Sequence, residues 1–262
     1  MTYSLRLQSA YCCETGNARD RNEDSCLIVS TESGGHFQVA PFGLYAVADG
    51  MGGALDGHIA SHAAVRAFTE FVTARLYLPL LKGKPVTGEL EVLDVLERGV
   101  MAAHDAVYRP SPDENGGTTL TAALVMDRRL YLAHVGDSRA YWLVDGELRA
   151  LTTDHSLVRK LQDRGQLTPE EASNYQYRNV LLQALGQDVA LEIDTMAFDL
   201  PPKGWLLLCS DGLCGFVPEP AIRAVLELAP SAEQAAERLL DAALAAGSND
   251  NVTVVVVRFA GG

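Results

Sequence analysis

The sequence has no CxxC pair and no cysteine–histidine spacing of the zinc-binding kind, and its five cysteines, Cys12, Cys13, Cys26, Cys209 and Cys214, form an odd set. That pattern fits reduced thiols in a cytosol rather than a disulfide framework. Basic residues are scarce, 21 against 34 acidic ones, for a formal charge of −13 with no local basic cluster. Such a surface repels nucleic-acid phosphates and anionic lipid. No apolar run approaches the roughly 18 residues of a membrane span, and the chain does not open on a basic stretch followed by an apolar one. Internal repeats and low-complexity linkers are missing as well. The expectation is a soluble, cytoplasmic, monomeric protein without nucleic-acid or membrane partners.

What is present is an ordinary globular composition, 48% hydrophobic and 21% charged over 262 residues, enough to bury a sizeable core. Because strands and helices interleave without a composition shift, a single domain over 1–262 is expected. Runs rich in β-branched and apolar residues predict strands at 26–30, 44–48, 120–126, 130–135, 140–144, 206–209 and 252–259. The linkers Asp127-Arg128-Arg129 and Gly136-Asp137-Ser138 are too short for a crossover helix, so 120–144 reads as an antiparallel meander. Apolar stripes at helical spacing predict helices over 57–81 and 90–108, an αα hairpin lying on a sheet, and a late helix over 220–246 split near Pro230-Ser231. The charged stretch 156–179, with a turn-to-helix start at Thr168-Pro169-Glu170-Glu171, reads as a flap-like surface insertion.

Apolar strands repeatedly meet an aspartate. Ala48 is followed by Asp49-Gly50, Val135 by Gly136-Asp137, and Cys209 by Ser210-Asp211-Gly212, while Asp250-Asn251 precedes Val252. Alone, each is a common turn residue. If the strand ends converge on one rim, however, several carboxylates meet, and their repulsion is relieved by hard cations bound through oxygen: Mg²⁺, Mn²⁺ or Ca²⁺. Glu23 and Asp24 add to this inventory, and nearby Arg19 has the planar fork that suits a phosphate. The glycines of Asp49-Gly50-Met51-Gly52-Gly53 let backbone approach a ligand closely and would lend the Gly50 carbonyl to a metal.

Ordered motifs run along nearly the whole chain: Gly16-x-x-Arg19-x-x-Asn22-Glu23-Asp24, the Asp49–Gly53 loop, Gly116-Gly117-Thr118-Thr119, Gly136-Asp137-Ser138-Arg139, Asp154-His155-Ser156, Asn179-Val180-x-x-x-Ala184-Leu185-Gly186, Ser210-Asp211-Gly212-Leu213 and Asn249-Asp250-Asn251-Val252-Thr253. Any one is weak; in this order they are specific. The chain resembles the metal-dependent, type 2C serine/threonine protein phosphatases, particularly the compact bacterial members. The resemblance implies an α+β fold, an antiparallel β-sandwich of four layers flanked by helix pairs, with the active site at one edge of the two sheets.

It also implies roles. Asp49, Asp211 and Asp250 would hold one Mn²⁺ or Mg²⁺, and Asp49 with the Gly50 carbonyl a second, completed by Glu23 and Asp24 directly or through water. Asp137 with Asp211 would form a weaker third site. Arg19 would grip the substrate phosphate while hydroxide bridging two ions attacks phosphoserine or phosphothreonine in line. Phosphorylated proteins are then the substrates, and a reciprocal kinase is implied. Met51 stands where animal relatives have a histidine, which leaves a metal-bound water as proton donor. His58, His62 and His155 read as structural. Gln183, and Tyr175 to Tyr177, depart from the bacterial pattern near the flap and bear on substrate choice. Cys209 lies near Asp211, but the CxxxxxR loop of cysteine phosphatases is absent. The competing readings are a catalytically silent binding module, expected to have lost metal aspartates, and a phosphatase of small metabolites.

Overall fold

The computed structural model describes residues 5–33, 39–52, 57–86, 88–108, 116–173, 175–188 and 190–261; Gly53 of the glycine loop lies outside them. In chain order, β1 (Leu5–Glu14), β2 (Ser25–Thr31), β3 (Phe42–Ala48) and the short β4 (Gly50–Met51) lead into α1 (Gly57–Val72). A π-helical turn over Thr73–Tyr77 joins α1 to α2 (Leu78–Leu81), so the helix carries on past Pro79 before α3 (Glu89–Tyr108) returns. The short β5 (Gly117–Thr118), β6 (Leu120–Met126), β7 (Arg129–Val135), β8 (Arg139–Val144) and β9 (Glu147–Ala150) follow. After α4 (Leu157–Asp163) and α5 (Pro169–Ser173) come β10 (Asp194–Asp199), β11 (Lys203–Cys209), α6 (Asp211–Cys214), α7 (Glu219–Leu228), α8 (Ala232–Ala245) and β12 (Val252–Gly261).

Two antiparallel sheets carry the fold, ordered β1-β12-β11-β8-β9 and β10-β7-β6-β3-β2. Strand alternation sorts the core into three layers. From β3, Phe42, Leu44, Ala46 and Ala48 pack on Ala64, Phe68, Leu96 and Val100 of the α1–α3 hairpin. From the same strand, Tyr45 and Val47 face Leu206, Leu208, Val255 and Val257 of the other sheet. On that sheet's outer face, Leu207, Val254 and Val256 pack on Ile222, Leu226 and Leu239 of α7 and α8. Both faces of the central strands are therefore buried, which is why these stretches read as continuous apolar runs rather than alternating ones. The result is the expected helix–sheet–sheet–helix arrangement.

One expectation is overturned. β6 and β7 pair as a hairpin, but β8 does not continue the meander; it pairs with β11 and β9 in the opposite sheet. The Gly136-Asp137-Ser138 linker is the crossing point between sheets. Gly136 sits at φ +114°, where a Cβ would strike Thr119, so glycine permits the turn. β10 takes the vacated place beside β7, with Asp194 opposite His134. β1, β9 and β10, which the sequence reading did not find, all lie at sheet edges.

The late helices separate where expected, and Ser231 caps α8 by accepting from the Gln234 N–H at 3.3 Å. In the 156–179 stretch, Thr168 and Glu171 form a reciprocal capping box at the start of α5, with bonds of 2.8 and 3.3 Å. The excursion is anchored at its ends by the Leu157 N–H bond to the Val180 carbonyl, 2.9 Å, and by the Ser156–Leu181 bridge.

Candidate functional site

The topology gathers the aspartates. β3 and β7 both run antiparallel to β6, so Ala48 and Val135 finish at the same rim of their sheet. β11 runs antiparallel to β12, so Cys209 ends where Val252 begins. Asp49, Asp137, Asp211 and Asp250 thus come from four strand ends on facing sheets, and the charges of the other three all bear on Asp49.

Burial first, and then the charges of Asp24, Asp211, Asp137 and Asp250, push the Asp49 carboxyl far above its ordinary range. Asp211 is raised by burial and by Asp250. Asp137 rises to about 8 through burial, Asp211 and Asp154, and Asp24 to about 7 chiefly through burial. Such a group of acids is held together at neutral pH by shared protons or by cations. Asp211 Oδ1 is buried and has no hydrogen-bond partner. An orphaned carboxylate oxygen in an all-oxygen donor set fits a hard divalent cation. Among the described residues, no three histidine, cysteine, aspartate or glutamate side chains already surround one point as a finished cage.

The flanking motifs aim these groups. Thr118 Oγ1 and the Thr119 N–H both donate to the Asp49 carbonyl at 2.9 Å, and the Asp49 N–H donates to Thr119 Oγ1 at 2.9 Å. Thr119 Oγ1 also shares a 2.8 Å hydrogen bond with Ser138 Oγ, beside Asp137. Gly50 lies against the carbonyls of Glu23 and Gly57, where a side chain would collide, and its N–H donates to the Glu23 carbonyl at 3.2 Å. Glu23 itself accepts from the Gly57 N–H at the start of α1, 3.1 Å, and Asp24 accepts from Ser210 Oγ at 2.8 Å. Arg19 reaches the rim, where its exposed guanidinium pairs with Asp250 at 2.7 Å.

Several positioning residues were not singled out from sequence. Asn251 accepts from the Glu23 N–H at 2.8 Å and donates to the Thr15 and Arg21 carbonyls at 2.9 and 3.0 Å, tying the first loop to the β12 start. Ser210 joins Asp24 to the Thr253 N–H. Arg139 forks onto Asp154 with two bonds of 2.7 Å. Their only signal was position inside the quoted motifs. His58 hydrogen-bonds Arg21 at 3.2 Å and His62 is exposed on α1. Gln183 Oε1 accepts from the Glu192 N–H, 3.2 Å, and Tyr175 meets Tyr177 edge-on. Cys209 is buried in the core with a free thiol.

The family model described as Protein phosphatase 2C matches residues 17–246. The serine/threonine phosphatase stp of Listeria welshimeri is 34% identical over 252 residues, spanning 96% of this chain and 95% of its own. The crystal structure of the Mycobacterium tuberculosis serine/threonine phosphatase PstP/Ppp superposes with a TM-score of 0.80 at 36% identity, covering 96% of this chain and 98% of that one. The catalytic domain of PstP in complex with two manganese ions superposes at 0.78 and 35% identity, covering 98% and 99%.

Proposed function

The chain belongs to the protein phosphatase 2C family, and on that premise we propose that it is a metal-dependent phosphatase acting on phosphoserine and phosphothreonine in proteins. The observation that carries the reading is the convergence of Asp49, Asp137, Asp211 and Asp250 at one rim of the two sheets, beside a buried Asp211 oxygen that lacks a donor.

Asp49, Asp211 and Asp250 would hold one divalent ion, and Asp49 with the Gly50 carbonyl a second, with Glu23 and Asp24 completing it directly or through water. Asp137 with Asp211 would form a third, weaker site. When bound, Mn²⁺ or Mg²⁺ at two such positions would supply an activated water and neutralise charge on the phosphoryl group. Arg19, set at the rim by its pairing with Asp250, has guanidinium donors left to hold the non-bridging phosphate oxygens. The Thr118 and Thr119 bonds fix the Asp49 backbone, so its carboxylate is aimed in advance. Met51 follows Gly50, so no side-chain acid stands at that position to protonate the departing serine or threonine oxygen.

The reading extends to a single catalytic domain, with the α4–α5 excursion as a flap beside the site. It also extends to a monomeric, cytoplasmic signalling role opposite a serine/threonine kinase. No helix among the described residues is long and apolar enough to cross a membrane.

The test is hydrolysis of a phosphothreonine peptide and of sugar phosphates in EDTA, Mg²⁺ and Mn²⁺, with Asp49→Ala and Asp211→Ala checked for folding by circular dichroism. Metal-dependent peptide turnover that both folded variants lose supports the reading. Turnover of sugar phosphates alone would redirect it to small substrates, and inactivity on all of them would leave a binding module.

A further inference from the structure

We propose that His155 is a positioning residue for Asp137, holding the turn that carries this carboxylate to the metal rim; the inference rests on the metal-site reading above. The Gly136 peptide N–H can only donate, so His155 Nδ1, 3.3 Å away, is the accepting nitrogen and carries no proton. The ring proton is then on Nε2, which donates to Asp194 Oδ2 at 3.2 Å. The main chain closes the same clasp from the other side, with the His155 N–H donating to the Gly136 carbonyl at 2.7 Å. One imidazole thus connects the residue before Asp137 to the first residue of edge strand β10, whose register against β7 is fixed by the sheet ladder.

The turn needs such a brace. Gly136 has no side chain with which to hold itself, and its φ of +114° belongs to a region that few residues occupy. The following residues have their own anchors: Ser138 is held by Thr119, and Arg139 by Asp154. On the N-terminal side of Asp137, His155 supplies a side-chain hydrogen bond to the Gly136 peptide, which also packs against Thr119. The ring is itself set, with its centroid 4.8 Å from that of His134, a buried histidine fixed by Thr121 and the Thr153 carbonyl. An imidazole held in one tautomer by a carboxylate, with its other nitrogen bonded to the peptide next to a ligand, is the kind of outer support that sets ligand orientation.

The experiment is calorimetric titration of Mn²⁺ into the metal-free full chain, comparing wild type with His155→Leu, His155→Asn and Asp194→Ala, each checked for folding by circular dichroism. Loss of an outer-shell hydrogen bond should weaken the weakest Mn²⁺ step about tenfold in His155→Leu and leave the tighter steps in place. His155→Asn, whose amide oxygen can accept from the Gly136 N–H near the position of Nδ1, should restore most of that affinity, and Asp194→Ala should show an intermediate loss. Wild-type affinity at every step in His155→Leu overturns the proposal, as does an equal loss in the Leu and Asn variants, which would make the ring mere packing. If His155→Leu fails to fold, unchanged binding by Asp194→Ala overturns it. A wild type that binds only two ions also overturns it, yet leaves the phosphatase reading intact, since that reading stands or falls on metal-dependent turnover.

Discussion

Asp211 shows at the scale of one residue how function costs stability. Its carboxylate lies near Asp49 and Asp250, with one oxygen shielded from water and given no donor. Asp211→Asn should therefore raise the melting temperature in EDTA by about 2–8 °C, corresponding to about 1–2 kcal/mol of relieved burial and repulsion. The same change should abolish the Mn²⁺-induced shift in melting temperature, because binding to the folded state is what produces it. A thermal scan of both proteins with and without Mn²⁺ checks this, and a lower EDTA melting temperature for the variant would contradict it. Thr119→Ala removes the acceptor for the Asp49 N–H and the partner of Ser138. Turnover at fixed Mn²⁺ should fall about 10–100-fold, as for other losses of outer support, with near-normal activity regained at high Mn²⁺. At this scale the aspartates were legible, since each stood at the end of an apolar strand. The roles of Thr119, Ser210 and Asn251 were not, because a serine or asparagine in a loop looks the same whether it faces water or a carboxylate.

Among the elements, the α1–α3 hairpin is the support on which the β3 end rests. Phe68 is fully buried between α1, α3 and the sheet, and its ring also lies against Gly99 of the opposing helix. Phe68→Ala should cost about 3–5 kcal/mol through the lost transfer and the cavity left behind. The loss should be read from the urea midpoint at unchanged slope, with turnover retained at temperatures where the variant is folded. The central strands were visible because both faces are apolar. The edge strands β1 and β10 were not: Tyr11 of β1 is 59% exposed and Asp194 and Asp199 bracket β10, so their stability comes from the neighbouring strand rather than from local pattern. The β7–β8 linker misled for a related reason. Its length excludes a crossover helix but says nothing about which sheet the next strand joins.

For the molecule as a whole, the buried acids set a pH dependence of stability. Asp24 at about 7 and Asp137 at about 8 lie above the ordinary unfolded value near 4, so the folded chain binds more protons between those limits. Their contribution is complete below about pH 4 and is lost as pH rises through 7 and 8. Buried His134, lowered to about 4 by burial and His155, acts oppositely: its contribution is present above about 6.5 and lost as pH falls toward 4. The metal-free protein should therefore weaken between pH 6.5 and 8.5 by on the order of 2 kcal/mol. Saturating Mn²⁺ should remove that slope, because the ion takes the place of the protons. Urea midpoints across this range, with EDTA and with Mn²⁺, check both statements. A metal-free protein that gains stability toward pH 8.5 would show the acids to be ionised and otherwise compensated.

The sequence by itself determined the class of fold, the central strands, the helix pairs and the inventory of acids, because apolar periodicity and strand-end aspartates are local patterns. It also carried the family, through motifs whose order survives without any knowledge of where they meet. Only the tertiary structure decided that β8 changes sheets at Gly136, that Asn251 and Ser210 tie loops more than 180 residues apart to the rim, and that His155 clasps the Asp137 turn. Those facts depend on which strand ends face each other across two packed sheets. Long-range burial and hydrogen-bond satisfaction fix that arrangement, and a window along the chain does not contain it.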